Sequence, residues 1–349
     1  MEKQKYRVRF LLLSVASILI FFGSFALGRY RISVSETVGI LSDALIRLVS
    51  GNSLTLPESM RGWSIEAQTI VLNVRLPRIA CAALVGAALS VAGASFQGMF
   101  RNPMVSPDLL GASTGAGFGA SLAIFIGASY YTITFFAFLS GLAAVMLTYM
   151  ISRLSRIKTT LALVLSGIVV GSLFQSGTSF IKLVADQNNQ LPAITYWLMG
   201  SLSSVKNRDF LLAFGPILVG LVPIILLRWR INLLTVSESE ARSMGIDTSK
   251  LRFAVIVCAT LITSASVAIS GMIGWIGLVI PHICRLLYGQ DYRRLIPASA
   301  ISGAAFLMLT DNLARTVATS EIPLGILTSL IGAPVFIALI VKGGSGNEA

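Results

Sequence analysis

Phe10-Leu-Leu-Leu-Ser-Val-Ala-Ser-Ile-Leu-Ile-Phe-Phe-Gly-Ser-Phe-Ala-Leu-Gly28 is a run of 19 residues without a charge. A helix needs about 20 predominantly apolar residues to cross the hydrocarbon of a bilayer, so this run reads as a span. Working outward, the same signal recurs at Tyr131 to Ile151 and at Pro323 to Val341. With 55% hydrophobic residues, 12% charged residues and a mean hydropathy of +0.81, the chain reads as an all-α polytopic membrane protein in a single domain, 1–349. The net charge of +12 would point to nucleic acid in a soluble protein. Here the basic residues stand at the ends of apolar runs, where positive-inside sorting and lipid phosphate account for them and nucleic acid is excluded. Cys81, Cys258 and Cys284 lie inside apolar runs without metal-ligand spacing and read as packing residues. The basic start at Lys3, Lys5, Arg7 and Arg9 resembles a secretory signal. Its apolar run exceeds the roughly 7–15 residues of a signal core, so a retained first helix is expected.

Ten spans are expected: 10–28, 70–96, 107–128, 131–152, 160–184, 210–228, 253–271, 273–288, 294–314 and 322–341. The run from Phe253 to Leu287 is split in two because basic residues flank both of its ends and belong on one side of the membrane. With the N-terminus in the cytoplasm of a prokaryotic cell (inner) membrane, 17 of the 27 Lys and Arg residues fall on the cytoplasmic face, and both termini lie there. Spans 2–5 then start outside and spans 7–10 start inside, the arrangement of an inverted repeat. An amphipathic helix is expected around Val38 to Val49 in the outer loop 29–69. Tyr196 and Trp197 are expected as interfacial anchors in the loop 186–209.

The cytoplasmic stretch 229–252 holds a short helix with both ends written in. Ser237 and Glu240 have capping-box spacing, and Gly245 can close the far end. With Leu234, Val236, Ala241, Met244 and Ile246 among its charges, this helix suits a protein partner and a lipid surface equally. At the outer start of span 2, Arg75 and Arg78 lie about one turn apart and oppose the helix dipole. They require an acidic compensator, either lipid phosphate, which physical chemistry alone favours, or an acidic docking protein. Arg315 extends the patch, with Asp311 one turn earlier as its intrachain partner. Gly111, Gly115 and Gly119 recur every four residues as a packing stripe. His282, the single histidine, reads as structural. Asp108, Asp311 and Glu321 lie near span ends, which argues against a proton-driven carrier. No phosphate-binding loop of the Gly-x-x-x-x-Gly-Lys-Ser/Thr type occurs, no paired nucleophile and base suggests an intramembrane enzyme, and no metal site is expected.

Six stretches carry a family resemblance: Arg75-Leu-Pro-Arg78, Gly93 to Gly111, Tyr196-Trp-Leu-Met-Gly200, Glu240 to Gly245, Gly274 to Arg285, and Glu321-Ile-Pro-Leu-Gly325 with Gly332-Ala-Pro334. In order and content, the chain from Val74 to Val341 resembles permease subunits of type II ABC importers for iron chelates, haem and cobalamin. The resemblance implies a homodimer with two ATP-binding subunits, an extracytoplasmic solute-binding protein and alternating access. This chain is then a transport subunit and not an enzyme. It has no cofactor of its own, and ATP and Mg sit on the partner ATPase. The resemblance also implies that Ser237, Glu238, Glu240, Ala241, Arg242, Met244 and Gly245 form a coupling helix. Arg75, Arg78 and Arg315 would meet acidic side chains of the binding protein, and Thr159 and Thr160 would narrow the cytoplasmic end of the pathway. The expected cargo is an iron complex, a siderophore or haem. A cobalamin permease and a gradient-driven secondary transporter are the alternatives.

Overall fold

The computed structural model describes residues 2–28, 30–50, 62–155, 160–236, 240, 244 and 247–344. Each expected span falls on a helix: α1 (Glu2–Ala26), α4 (Leu76–Phe100), α5 (Ala112–Phe125), α6 (Tyr130–Leu154), α7 (Thr160–Val184), α9 (Asn207–Thr235), α10 (Thr248–Ser270), α11 (Ile276–Tyr288), α12 (Tyr292–Thr316) and α13 (Leu324–Gly344). Three more helices lie between spans: α2 (Val34–Val49), α3 (Ile65–Thr69) and α8 (Gln190–Met199). A π-helical turn, Ile70–Arg75, joins α3 to α4.

Two boundaries differ from the sequence expectation for local reasons. The outer amphipathic helix starts at Val34 and not near Val38, because Ser33 and Glu36 close a reciprocal capping box. The span expected over 107–128 is broken. Ser106 caps a 3-10 turn over Pro107–Leu110, Gly111 takes a left-handed φ of 90°, and α5 begins only at Ala112. Gly111 is therefore a hinge rather than part of the packing stripe. Gly115 and Gly119 do face α6, where an added Cβ would lie 2.5 Å from the Ala144 Cβ and 2.3 Å from the Phe136 carbonyl oxygen.

The blocks α4–α7 and α10–α13 share one pattern. Their helices run 25, 14, 25 and 25 residues in the first block and 23, 13, 25 and 21 in the second. In each block an irregular stretch separates the first two helices, and each stretch holds one non-glycine residue at positive φ: Arg101 at 53° and Trp275 at 71°. The repeat organises burial. In the most apolar stretches, 78% of residues are buried in the 65–100 run that contains α4 and 72% in α10, against 11% in α1, 22% in α9 and 28% in α6. The leading helix of each block thus lies in the core, whereas α1, α6 and α9 turn apolar faces outward, as lipid contact requires. Helix α11 crosses α4 at backbone contact, since a Cβ on Gly93 would fall 1.8 Å from the Gly277 carbonyl oxygen. Gln97 completes the crossing. Its Nε2 donates to the carbonyls of Gly277 and Leu278, both at 3.3 Å, and its Oε1 accepts from Arg285 at 2.9 Å.

Candidate functional site

At the end of the bundle where α4 begins, the three predicted arginines come together, but in the interior. Arg75, Arg78 and Arg315 are 4%, 6% and 6% exposed. Arg78 forks onto Asp311, with Nε 2.9 Å from Oδ1 and Nη2 at 2.8 Å, while its Nη1 donates to Glu321 at 2.9 Å. Arg315 Nε lies 3.7 Å from Asp311 Oδ2, and its Nη2 donates to the Ser24 carbonyl at 2.7 Å. Arg75 donates to the carbonyls of Phe25 and Tyr30. The acidic compensator expected in lipid phosphate or a docking protein is found within the chain itself, as Asp311 and Glu321. A guanidinium leaves water only where hydrogen-bonded or charged partners replace it, and this chain supplies those partners itself. The same contacts resolve the dipole puzzle. Arg75 and Arg315 serve the free carbonyls in the last turn of α1, where a cation is favoured. Three guanidiniums against two carboxylates leave the cluster with one excess positive charge.

Beside the cluster, two of the distant motifs meet the C-terminal end of α10 in one backbone junction. The Ser201 N–H donates to the Ser270 carbonyl at 2.7 Å, and the Leu324 N–H donates to the Gly200 carbonyl at 2.9 Å. Gly271, at φ 66°, lets the chain turn there, and a Cβ on it would lie 2.4 Å from the Trp197 carbonyl oxygen. Glu321 ties this junction to the arginine cluster.

Along the middle of α7 lies a groove of about 430 Å³, lined among others by Asp108, Thr114, Ser172, Gln175 and Ser176. Ser172, Gln175, Ser176 and Ser179 are exposed and recur at i, i+3, i+4 and i+7, so they form one stripe. The sequence carried this signal openly, yet these four side chains were not singled out within the span 160–184. Asp108 was expected near a span end. The broken helix instead carries its 3-10 turn against the centre of α7, where the carboxylate accepts from Ser106 at 3.2 Å and from Ser113.

At the opposite end, the last turn of α9 is held from two sides. Arg101, in the left-handed region at the C-cap of α4, donates to the Leu234 carbonyl at 2.9 Å and to that of Val236. Asn232 donates to Asp291 Oδ1 at 2.8 Å and accepts from the Tyr292 N–H at 2.9 Å. Asp291 also caps α12, and its carboxyl sits below the ordinary aspartate range. Burial pushes it up, but the Arg293 N–H, the Asn232 amide and the Arg293 and Arg294 charges outweigh that. Neither Arg101 nor Asn232 was singled out from the sequence, because their partners are far away in the chain or on the backbone.

Of the expected coupling helix, Glu240 and Met244 are described and both are exposed, with the Met244 N–H on the Glu240 carbonyl at 3.2 Å. Ser237, Glu238, Ala241, Arg242 and Gly245 lie outside the described residues. Thr159 does too, and Thr160 opens α7. Among the described residues no group of three or more His, Cys, Asp or Glu could hold a metal.

The FecCD transport family matches this chain over residues 15–342. The chain is 36% identical over 340 residues to the molybdate import system permease protein of Haemophilus influenzae, covering 97% of this chain and 96% of that protein. It is 37% identical over 280 residues to the hemin transport system permease protein of Yersinia pestis, covering 78% and 83%. Among solved structures, an inward-facing conformation of a metal-chelate type ABC transporter superposes with a TM-score of 0.84 at 35% identity, covering 96% of this chain and 99% of that one. The chain belongs to the FecCD transport family and is a permease subunit of an ABC importer.

Proposed function

We propose that two copies of this chain enclose a pathway along α7 and α13. Through it an iron complex, handed over by an extracytoplasmic binding protein, reaches the cytoplasm by alternating access. The observation that carries this reading is the exposed Ser172, Gln175, Ser176 and Ser179 stripe at the centre of a span. Ser179 donates to the Gln175 carbonyl at 3.0 Å, but four polar side chains on one exposed face of a span are costly against hydrocarbon, so such a stripe belongs against a water-filled space. Neutral hydroxyls and an amide give walls of weak affinity, which suits release of cargo. A second reading of the cargo, molybdate, is favoured by the Haemophilus influenzae relative, which aligns with nearly the whole chain.

The ends of the bundle take their roles from this reading. The arginine cluster faces outward, and its excess positive charge favours an acidic docking partner; Arg75, which bonds only carbonyls in the contacts above, supplies that charge. The 237–246 segment faces the cytoplasm and receives the motion of two ATP-hydrolysing subunits. Arg101 and Asn232 pass the motion to α4 and α12, and Thr159 and Thr160 narrow the inner mouth. The pathway is tested by cysteine substitution at Ser172 and Ser176 in the importer assembled in proteoliposomes. Reaction with a membrane-impermeant thiol reagent is expected at both. Failure of both to react, with a cysteine at exposed Ser203 as the reactive control, would overturn the reading.

A further inference from the structure

The seam between α6 and α10 carries two apolar grooves, one toward each end of the spans. The first, of about 280 Å³, is walled by residues such as Phe135, Phe138, Leu212 and Ile269. At its mouth the Arg208 guanidinium lies 4.5 Å from the centroid of the Tyr131 ring. The second, of about 260 Å³, is walled by residues such as Leu142, Met146, Phe253 and Val257, with Tyr149 at its mouth. There Arg153 lies 5.4 Å from the Tyr149 ring centroid and donates from Nε to the Tyr149 hydroxyl at 2.9 Å. Both arginines are exposed. Neither groove includes a residue of α7 or α13, the helices assigned to the copy-to-copy pathway.

The device is the same at both ends: an apolar trough below, a tyrosine at the rim, and an arginine held against that tyrosine with guanidinium N–H groups left to donate. Tyrosine belongs at the membrane interface, and arginine there meets lipid phosphate. A guanidinium stacked on a ring is preorganised, so less freedom is lost when it binds an anion. Each trough lies just below the ~300–1,000 Å³ of small-molecule sites and takes a length of hydrocarbon chain. A molecule with an anionic phosphate at headgroup depth and an acyl chain beneath it matches both features at once. We infer that the α6–α10 seam holds two phospholipid sites, one per leaflet, with the phosphates on Arg208 and Arg153 and an acyl chain of each lipid in the groove below.

The test is native mass spectrometry of the delipidated full-length protein titrated with phosphatidylglycerol in detergent. Two tightly retained molecules per protomer are expected. Arg208→Ala and Arg153→Ala should each remove one, and the double variant both. Thr134→Trp and Met146→Trp, which fill the grooves while leaving the arginines in place, should remove the same molecules one at a time. Diacylglycerol of the same chain length should bind about tenfold more weakly, the loss expected for one charge-assisted hydrogen bond. A phosphatidylglycerol count unchanged in the arginine variants, or equal affinity for diacylglycerol, would overturn the inference. Unchanged counts in the tryptophan variants would do the same.

Discussion

Removing the Arg78 guanidinium takes the Nη1 bond from Glu321 and leaves Asp311, 1% exposed, with only the 3.7 Å contact of Arg315. Breaking one side of a buried ion pair costs about 3–5 kcal/mol, so Arg78→Ala should lower the thermal melting temperature in detergent markedly. Arg78→Lys should recover only part, because an ammonium cannot reproduce the fork. An unchanged melting temperature in Arg78→Ala would show that the cluster is solvated. Arg101 offers a cleaner separation of fold from function. Arg101→Gly relieves the left-handed φ of 53° but deletes both bonds to the end of α9. The variant should fold as well as the parent and assemble with the ATPase, yet lose most of the stimulation of ATP hydrolysis by loaded binding protein. Retention of full stimulation would remove Arg101 from the transmission route. Of these contacts, the sequence made only Asp311 to Arg315 legible, because four residues along a helix are neighbours. Arg78 and Glu321 are 243 positions apart, and no spacing rule joins them.

The helices of the ten apolar runs and the break between α10 and α11 were legible, the latter from charge, whereas α3, α8 and the break before α5 were not. Ten apolar runs gave ten helices, six of them among the described residues long and apolar enough to cross a membrane, because length and apolarity are local properties. The break at Pro107–Gly111 depends instead on α7 and α4 receiving a 3-10 turn between them. The packing of α5 on α6 is tested by Gly119→Leu. Overpacking a site this tight costs typically about 1–3 kcal/mol, and the equivalent change at hinge Gly111, where the nearest atoms are 3.7 Å away, should act through backbone strain instead. The Asp291 cap ties α9 to α12 in a pH-dependent way. Its folded carboxyl is depressed, so the stabilisation is fully present above the ordinary aspartate value of about 3.9 and is lost as pH falls through the lower folded value. Hydrogen exchange at the first turn of α12 should therefore stay slow above that range and quicken below it, and Asp291→Asn should abolish the dependence. Protection indifferent to acid in the parent protein would contradict the cap assignment.

For the whole molecule, the inverted repeat supplies two halves with one pattern and opposite direction, so a packed core at α4 and α10 is flanked by outward-turned apolar surfaces. Charge distribution in the sequence pointed to this repeat without any visible self-similarity, because what is repeated is helix length and the break, not side-chain identity. The buried arginine cluster was the feature least available from sequence. Its partners come from α1, α12 and the turn before α13, and only the folded chain shows that they are inside.

The central claim is that this chain is a passive gate driven by ATP hydrolysed on a separate subunit at its 237–246 end. The most direct measurement is uptake of cargo into proteoliposomes that hold this chain with and without its ATPase, in the presence of loaded binding protein. The account predicts uptake against a gradient only when both the ATPase and ATP are present, and loss of both uptake and ATPase co-purification on replacing Glu240 and Arg242. Sustained uphill uptake by this chain alone would contradict it.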